Sequence, residues 1–211
     1  MNRRVGRFEL AYDPAEAVAA LRKDRDLRRV IQRVGDFKLA LRPNHSPFEA
    51  LAESIVYQQL NGKVAATIWG RTRDLFESRH LRPEDVLGAP LATLRGAGLS
   101  EAKSLALKDL ALKAEEGLVP GWAALRKLDD EEIIRRFVQV RGIGRWTVEM
   151  LLIFRLGRPD VWPVDDFAVR TAYGDVFGFG KVDLKEMRAR AEAWRPWRTV
   201  VAWYLWRWYQ P

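Results

Sequence analysis

Apolar residues recur every three or four positions along most of this chain, and that period indicates helices with one buried face. The segments with this pattern are residues 50–60, 64–77, 101–116, 131–138, 145–156, 184–194 and 199–209. Only residues 36–41 alternate apolar and polar positions as a strand does, and this run is short enough to be an extended linker. The pattern therefore predicts an all-α protein.

The predicted helices begin at recognisable capping residues. An N-cap residue has a short polar side chain that accepts a hydrogen bond from the first turn, and proline or glutamate often follows at a fixed offset. Four such signals occur: Asp13 before Pro14, Ser46 before Pro47, Asp129 before Glu132, and Asp183 before Glu186. These signals set the starts of four helices independently of the apolar period.

Two breaks in the helical pattern, near residues 41–47 and 158–163, predict a discontinuous arrangement of two parts. Residues 46–162 then form a central helical bundle, while residues 1–45 pack with residues 163–211 as a terminal helical subdomain. A cleft between two helical subdomains is a natural place for a functional site. We therefore expect the site in such an interdomain cleft.

The chain carries an excess of positive charge. Its 211 residues include 36 lysines and arginines against 28 aspartates and glutamates, for a formal net charge of +8. This balance favours a polyanionic partner such as nucleic acid, with general solubility as the alternative. There is no apolar run long enough to cross a membrane. We expect a soluble, nucleic-acid-binding protein.

The side chains available for chemistry are restricted. The chain has no cysteine, which excludes disulfides, thiolate zinc sites and iron–sulfur clusters and fits a cytoplasmic protein. Its two histidines, His45 and His80, lie far apart in the sequence, and this argues against a histidine metal site or a Ser-His-Asp triad. Carboxylates, amides and aromatic rings remain as the candidates for catalysis.

A glycine-rich turn joins two of the predicted helices. In the run Val-Arg-Gly-Ile-Gly-Arg-Trp-Thr at 140–147, Gly142 and Gly144 allow a tight turn and a close approach of the backbone to a ligand. The N–H groups that open the next helix suit an anion, and Arg145 and Thr147 offer further phosphate contacts. An ordinary tight turn between helices is the alternative, and these residues alone leave both open.

Two adjacent aspartates, Asp165 and Asp166, follow Pro163 at the start of a predicted helix. One interpretation is a helix N-cap with a solvated neighbour, because aspartate is a favoured capping residue. The other is a catalytic carboxylate, because cleavage of a glycosidic bond builds positive charge on the sugar and a nearby carboxylate stabilises it. The residues alone leave both interpretations open.

Four blocks of the chain together resemble the helix-hairpin-helix DNA glycosylase superfamily. In family order they are residues 54–60 (Ser-Ile-Val-Tyr-Gln-Gln-Leu), 140–147, 162–170 (Trp-Pro-Val-Asp-Asp-Phe-Ala-Val-Arg) and 193–199 (Ala-Trp-Arg-Pro-Trp-Arg-Thr). The bacterial DNA-3-methyladenine glycosylase II group is the most similar. The resemblance implies a helix-hairpin-helix at about 131–156. It also implies a monofunctional enzyme of base excision repair that flips alkylated bases of the 3-methyladenine or 7-methylguanine type out of double-stranded DNA, excises them by hydrolysis and leaves an abasic site.

The resemblance assigns roles to the two aspartates and to Trp146. It implies that Asp166 is the catalytic carboxylate, and Asp165 is then the better candidate for the helix cap. Bifunctional relatives place a nucleophilic lysine where Trp146 stands, and an indole cannot form a Schiff base with the sugar. We therefore expect water as the nucleophile, no lyase activity and no cofactor for catalysis.

A flipped base needs a pocket, and the gap it leaves needs a wedge. The resemblance implies that Gln58 borders the pocket while Gln59 and Leu60 lie nearer the wedge, with an ordinary amphipathic helix end as the alternative. An N-alkylated purine is cationic and binds well against electron-rich rings. The predicted pocket residues are Tyr57, Gln58, Trp146, Met150 and Trp206. The predicted DNA-binding residues are Gln59, Leu60, Gly142, Ile143, Gly144, Arg145 and Thr147.

The family hairpin often holds Na⁺ or K⁺ through backbone carbonyls, whose equivalents here belong to Val138, Val140 and Ile143. Two departures stand out: Arg141 replaces the usual proline, and we expect no β-rich N-terminal domain of the kind that longer members carry. Two other hypotheses stay open, a glycosylase of the same fold for uracil or a deaminated or oxidised base, and a non-catalytic helix-hairpin-helix DNA-binding protein. We expect a monomer. We expect it in the bacterial cytoplasm, where it associates with the nucleoid and not with a membrane.

Overall fold

The structure is a computed structural model that describes residues 10–42 and 45–209. Residues 1–9, 43, 44, 210 and 211 of the predicted terminal subdomain lie outside the described residues. The chain divides into two compact units, which we call the terminal unit (described residues 10–42 and 152–209) and the central unit (residues 45–151).

The described residues contain helices and no strand, which confirms the all-α prediction. In chain order the helices are α1 (Pro14–Leu21), α2 (Arg25–Val34), α3 (Pro47–Tyr57), α4 (Gly62–Asp74), α5 (Pro83–Gly88), α6 (Leu91–Gly96), α7 (Glu101–Glu115), α8 (Trp122–Leu125), α9 (Asp130–Phe137), α10 (Arg145–Leu151), α11 (Phe167–Phe177), α12 (Leu184–Ala191) and α13 (Arg198–Tyr209). A π-helical turn, Leu152–Leu156, follows α10, and a 3₁₀ turn, Glu192–Trp194, follows α12. None of these helices is long and apolar enough to cross a membrane.

The capping signals in the sequence place helix starts correctly. The side chains of Asp13, Ser46, Asp129 and Asp183 accept hydrogen bonds from the first-turn N–H groups of α1, α3, α9 and α12. The helix ends differ more from the prediction. The helix predicted over 50–60 ends at Tyr57, and the one predicted over 145–156 becomes π-helical after Leu151. Residues 36–41 form neither helix nor strand, so they are a linker.

The core of the terminal unit surrounds α13. Residues 200–205 of this helix are all buried, and they pack against α1, α2 and α11. Such a helix, apolar on every side, is stable only when neighbours cover it completely. Tyr173 and Trp194 add large buried rings to the same core. Helix α13, which contains Trp203, Trp206 and Trp208, is therefore fixed in position by the packing of residues 200–205.

The core of the central unit surrounds α7. Its buried apolar residues are Ala106, Leu107, Leu110 and Ala111, and the helix packs against α3, α5 and α6. Helix α10 packs against both α9 and α3. Helix α3 therefore contacts both α7 and α10, and its end lies next to the α9–α10 hairpin.

Candidate functional site

Asp166 is the one carboxylate among the predicted site residues, and two hydrogen bonds hold it in place. It lies immediately before α11 and is 8% exposed. Its Oδ1 accepts one hydrogen bond from the N–H of Val169 at 2.9 Å and another from Nε1 of Trp206, also at 2.9 Å. The first bond is local and the second joins residues 40 positions apart. Together they fix the orientation of the carboxylate.

The prediction that Asp165 caps this helix is wrong. Helix α11 begins at Phe167, so the N-cap position belongs to Asp166, whose backbone is extended with φ −69° and ψ 123°. Asp165 lies one residue too early to reach the first-turn N–H groups and is exposed. One side chain therefore combines the two functions that the sequence left as alternatives, the cap and the candidate catalytic group.

Aromatic rings lie beside Asp166. The Trp206 indole that hydrogen-bonds to the carboxylate also stacks on Phe154, with ring centroids 5.5 Å apart and planes inclined by 28°. Phe167, next to Asp166 in the chain, is 69% exposed. Trp206 is among the residues predicted from the sequence, whereas Phe154 and Phe167 are not. Neither residue stands out from the sequence, because aromatic residues at helical spacing usually belong to the core.

The segment that leads to Asp166 is fixed by the start of α13. The hydroxyl of the fully buried Thr199 donates to the carbonyl of Arg158 at 2.7 Å and accepts from the N–H of Val161 at 3.0 Å. Nε of Arg198 donates to Oδ1 of Asp160 at 2.7 Å. These contacts tie residues 158–161 to the same helix that carries Trp206.

The hairpin of the central unit lies between α9 and α10. Gly142 has φ +78°, a conformation that residues with a Cβ adopt only at a cost, and a Cβ there would lie 3.6 Å from Cβ of Ala106. The N–H of Arg141 donates to Oδ2 of Asp109 at 2.6 Å. Burial raises the pKa of Asp109, but this hydrogen bond and the ammonium of Lys113 outweigh that effect, so the pKa lies below its usual value.

Two hairpin side chains are less available to phosphate than the sequence predicts. Arg145 makes ion pairs with Glu131 and Glu149, with its Nε 3.0 Å from Oε1 of Glu149. The hydrogen bonds that Arg145 donates to the carboxylate of Glu131 raise the pKa of Arg145 above its usual value. A phosphate must therefore compete with two carboxylates for this guanidinium. Thr147 is 7% exposed, and its burial argues against the predicted phosphate contact of its hydroxyl.

The predicted wedge forms a short exposed loop after α3. Helix α3 ends at Tyr57, and Gln59 has a left-handed backbone with φ +57°. Gln59 and Leu60 are exposed, whereas Gln58 is half-buried and its Nε2 donates to the carbonyl of Gly142 at 2.8 Å. The amide of Gln58 thus joins the loop to the hairpin. Insertion into DNA stays a prediction.

The other predicted pocket residues of the central unit are partly accessible. Trp146 is 44% exposed, and Tyr57 and Met150 are half-buried. Large aromatic side chains usually pack in the core, so the exposed indole of Trp146 at the start of α10 is unusual and suits contact with a ligand ring. The role of these three residues in a base pocket stays a prediction.

The two histidines come together despite their separation in the sequence. The rings of His45 and His80 stack with centroids 4.2 Å apart, and Nδ1 of His80 lies 3.6 Å from the buried carboxylate of Glu49. Within the part of the chain that the structure describes, no group of three histidine, aspartate or glutamate side chains is suited to a metal ion. The stacked pair therefore joins two segments of the central unit.

The predicted cation ligands at the hairpin are carbonyl oxygens. The carbonyl of Val140 accepts from the N–H of Ile143 at 3.0 Å, while those of Val138 and Ile143 accept no backbone hydrogen bond from the described residues. Backbone carbonyls are suitable ligands for a monovalent cation. The chemistry of these carbonyl oxygens fits the predicted Na⁺ or K⁺, and the binding of such an ion stays a prediction.

A family model described as "HhH-GPD superfamily base excision DNA repair protein" matches residues 52–198, more than half of the chain. Among curated proteins, DNA-3-methyladenine glycosylase 1 of Schizosaccharomyces pombe is 36% identical over 191 residues. The match covers 87% of this chain and 82% of that protein. The residues matched by the family model include the first three blocks that carried the resemblance and all but the last residue of the fourth.

Two solved structures are similar over nearly the whole chain. The 3-methyladenine DNA glycosylase of S. pombe in complex with abasic DNA has a TM-score of 0.77 at 35% identity, covering 90% of this chain and 95% of that one. A DNA-3-methyladenine glycosidase of Bacillus halodurans has a TM-score of 0.83 at 31% identity, covering 95% and 90%.

Proposed function

The chain belongs to the HhH-GPD superfamily of base excision DNA repair proteins, and we propose that it is a DNA glycosylase that excises alkylated bases from duplex DNA. Relatives named as 3-methyladenine glycosylases and a relative bound to abasic DNA support this activity. The observation that carries it is the buried, doubly hydrogen-bonded Asp166 with Trp206 and Phe154 beside it. A plain DNA-binding module has no need of such a carboxylate.

Asp166 acts on the bond between the base and the deoxyribose. As this bond breaks, positive charge develops on the sugar, and a preoriented carboxylate stabilises the transition state more than the ground state. The hydrogen bonds from Val169 and Trp206 both fall on Oδ1, and they hold the group in place without reorganisation during the reaction. An N-alkylated purine is already cationic and leaves readily, so no general acid is required for departure of the base.

The base must leave the duplex stack before Asp166 can act. We propose that Gln59 and Leu60, on the exposed loop after α3, fill the space that the base vacates. Trp146 and Trp206, with Tyr57, Gln58 and Met150, contribute to the pocket. The hairpin residues Gly142, Ile143 and Gly144 hold a phosphate of the damaged strand, and a Na⁺ or K⁺ on the carbonyls of Val138, Val140 and Ile143 would add positive charge there.

We further propose that the enzyme is monofunctional and of the type II specificity class. The hairpin offers Trp146 where a lyase needs a lysine, so water attacks the sugar and the strand stays intact. The product is an abasic site. Incubation with a duplex that contains 7-methylguanine should yield strand breaks only after alkali is added, and breaks without alkali would contradict this proposal.

We place the protein in the bacterial cytoplasm, on chromosomal DNA, as a monomer. The net charge of +8 supports sequence-independent contacts with phosphates, which are the contacts a search for rare lesions requires. Sedimentation of the protein with and without duplex DNA measures the oligomeric state directly.

The decisive experiment compares Asp166→Asn with Asp165→Asn on methylated DNA. Asparagine also caps helices well, so D166N should fold with a free energy of unfolding within about 1 kcal/mol of wild type. Its excision rate should fall by at least about 100-fold, because the charge that stabilises the transition state is gone. D165N alters an exposed neighbour and should keep wild-type activity. Full activity of D166N would overturn the proposed function.

A further inference from the structure

We propose that Lys103 is a positioning residue that fixes the loop of residues 58–60 in the conformation in which it enters DNA. The inference rests on the proposed function, because it concerns how the wedge of that function is held. Lys103 lies in the first turn of α7 and matches none of the four family-like blocks of the sequence. Its ammonium group makes the contacts that carry the inference.

Nζ of Lys103 donates to the carbonyl of Val56 at 2.8 Å and to the carbonyl of Gln58 at 2.8 Å. Val56 belongs to the last turn of α3 and Gln58 follows its end. The last carbonyls of a helix lack partners within the helix and need them from elsewhere. Here a single ammonium supplies two of these bonds, one on each side of the point where the helix stops.

The ammonium is held there against the cost of desolvation. Burial lowers the pKa of Lys103, which means that the charged group gives up water to occupy this position. A charged donor in a partly buried site persists when the protein replaces those lost hydrogen bonds. The two carbonyls are the replacement, so the contact is part of the folded structure and not an occasional approach of a surface lysine.

The backbone that Lys103 holds is not one the loop would favour by itself. Gln59 has φ +57°, an unfavourable region for a residue with a Cβ, and such residues persist where their surroundings determine the conformation. On the other side of the loop, Oδ1 of Asn61 accepts from the N–H of Val64 at 3.0 Å and starts α4. The loop is therefore fastened at both ends, with Lys103 at the α3 end.

The same face of α7 also supports the hairpin. Residues three apart lie near one another on a helix, and Lys103, Ala106 and Asp109 form such a row. Ala106 lies beneath Gly142, and Asp109 accepts from the N–H of Arg141. Helix α7 thus holds the wedge loop with Lys103 and the hairpin with Asp109, and sets the spacing between the two.

Lys103→Met keeps an unbranched side chain that is only one atom shorter and removes all its donors. We expect the excision rate under single-turnover conditions to fall by about 10- to 100-fold, because a small displacement of a positioned group has effects of that size. Affinity for undamaged duplex should change less than about threefold, because the hairpin contacts with phosphate remain. A purely structural role would reduce stability without separating these two quantities.

Lys108→Met is the matched control. Lys108 lies on the same helix and also places its ammonium on two carbonyls, but these belong to the end of α5 and not of α3: Leu87 lies in the last turn of α5 and Ala89 follows it. Loss of this contact should leave excision unchanged. Lys103→Arg keeps charged donors at the site and should restore part of the rate that K103M loses.

The test uses a duplex with 2-aminopurine next to a tetrahydrofuran abasic analogue, because insertion of the wedge unstacks the neighbouring base and raises its fluorescence. K103M should lose this signal and K108M should keep it, with urea unfolding to verify that each variant is folded. If K103M does not fold, K103A, which also removes all the side-chain donors, replaces it under the same expectations. A wild-type signal and excision rate in K103M, or an equal loss in K108M, would overturn the inference. If the wild-type protein excises no alkylated base but K103M alone loses the fluorescence, the proposed function fails and the positioning role stands.

Discussion

The hydrogen bond between Trp206 and Asp166 offers the sharpest perturbation of the candidate active site. Trp206→Phe removes Nε1, the donor that lies 2.9 Å from Oδ1 of Asp166. It keeps an aromatic ring that can still stack on Phe154. The cap bond from the N–H of Val169 also remains, so helix α11 should keep its start.

The expected magnitude follows from the strength of one hydrogen bond to a charged group. Such bonds contribute about 1.5–3 kcal/mol. If the bond acts by orienting the carboxylate in the transition state, its loss lowers the excision rate by about 10- to 100-fold, since about 1.4 kcal/mol corresponds to a factor of ten. The smaller ring should reduce the free energy of unfolding by only about 1 kcal/mol.

The assay measures single-turnover release of 7-methylguanine from a duplex oligonucleotide, with enzyme in excess. Trp208→Phe is the matched control, because Nε1 of Trp208, two residues further along α13, donates to Asp175 in the same manner. The double variant W206F/D166N completes a cycle. Two residues that act through one bond should give a smaller combined loss than the sum of the separate losses.

Three results would refute this reasoning. A W206F rate within twofold of wild type would show that the hydrogen bond does not orient the reacting carboxylate. An equal loss in W208F would show that any Trp–Asp bond on α13 has the same effect. Additive losses in the double variant would show that Trp206 acts independently of Asp166, as a wall of the base pocket alone.

Two further predictions concern the α9–α10 hairpin and the loop after α3. Asp109→Asn should lower the free energy of unfolding by about 1 kcal/mol at pH 7. The pKa of Asp109 is lowered in the folded protein. The difference in stability between wild type and D109N should therefore be complete above the pKa of an unfolded aspartate, and it should vanish as the pH falls through the pKa of the folded protein. Urea unfolding between pH 7 and pH 3 measures it, and a difference independent of pH would contradict the assignment. Gln59→Gly should keep the free energy of unfolding or raise it by up to about 1 kcal/mol, because glycine accepts the left-handed backbone without strain. The same change should slow excision, because the side-chain amide of the proposed wedge is lost. A loss of stability of more than about 2 kcal/mol, roughly twice the strain at this position, would show that the Gln59 side chain has a structural role instead.

The sequence by itself determined the helical class and the starts of several helices. The caps at Asp13, Ser46, Asp129 and Asp183 were predictable because a capping side chain bonds to N–H groups only two or three residues away. The family was also recognisable, because its hairpin and its aspartate lie in short blocks. These signals are local, because the residues that produce each of them are near neighbours in the sequence.

The tertiary structure decided where the functional segments end and which side chains meet. Helix α3 stops at Tyr57 and not at residue 60, and Lys103, 47 residues from Val56, holds its last carbonyls. Asp166, and not its neighbour, takes the helix cap while it binds Trp206, 40 residues away. No spacing in the chain encodes these pairs, because residues so far apart meet only after the cores around α7 and α13 have packed.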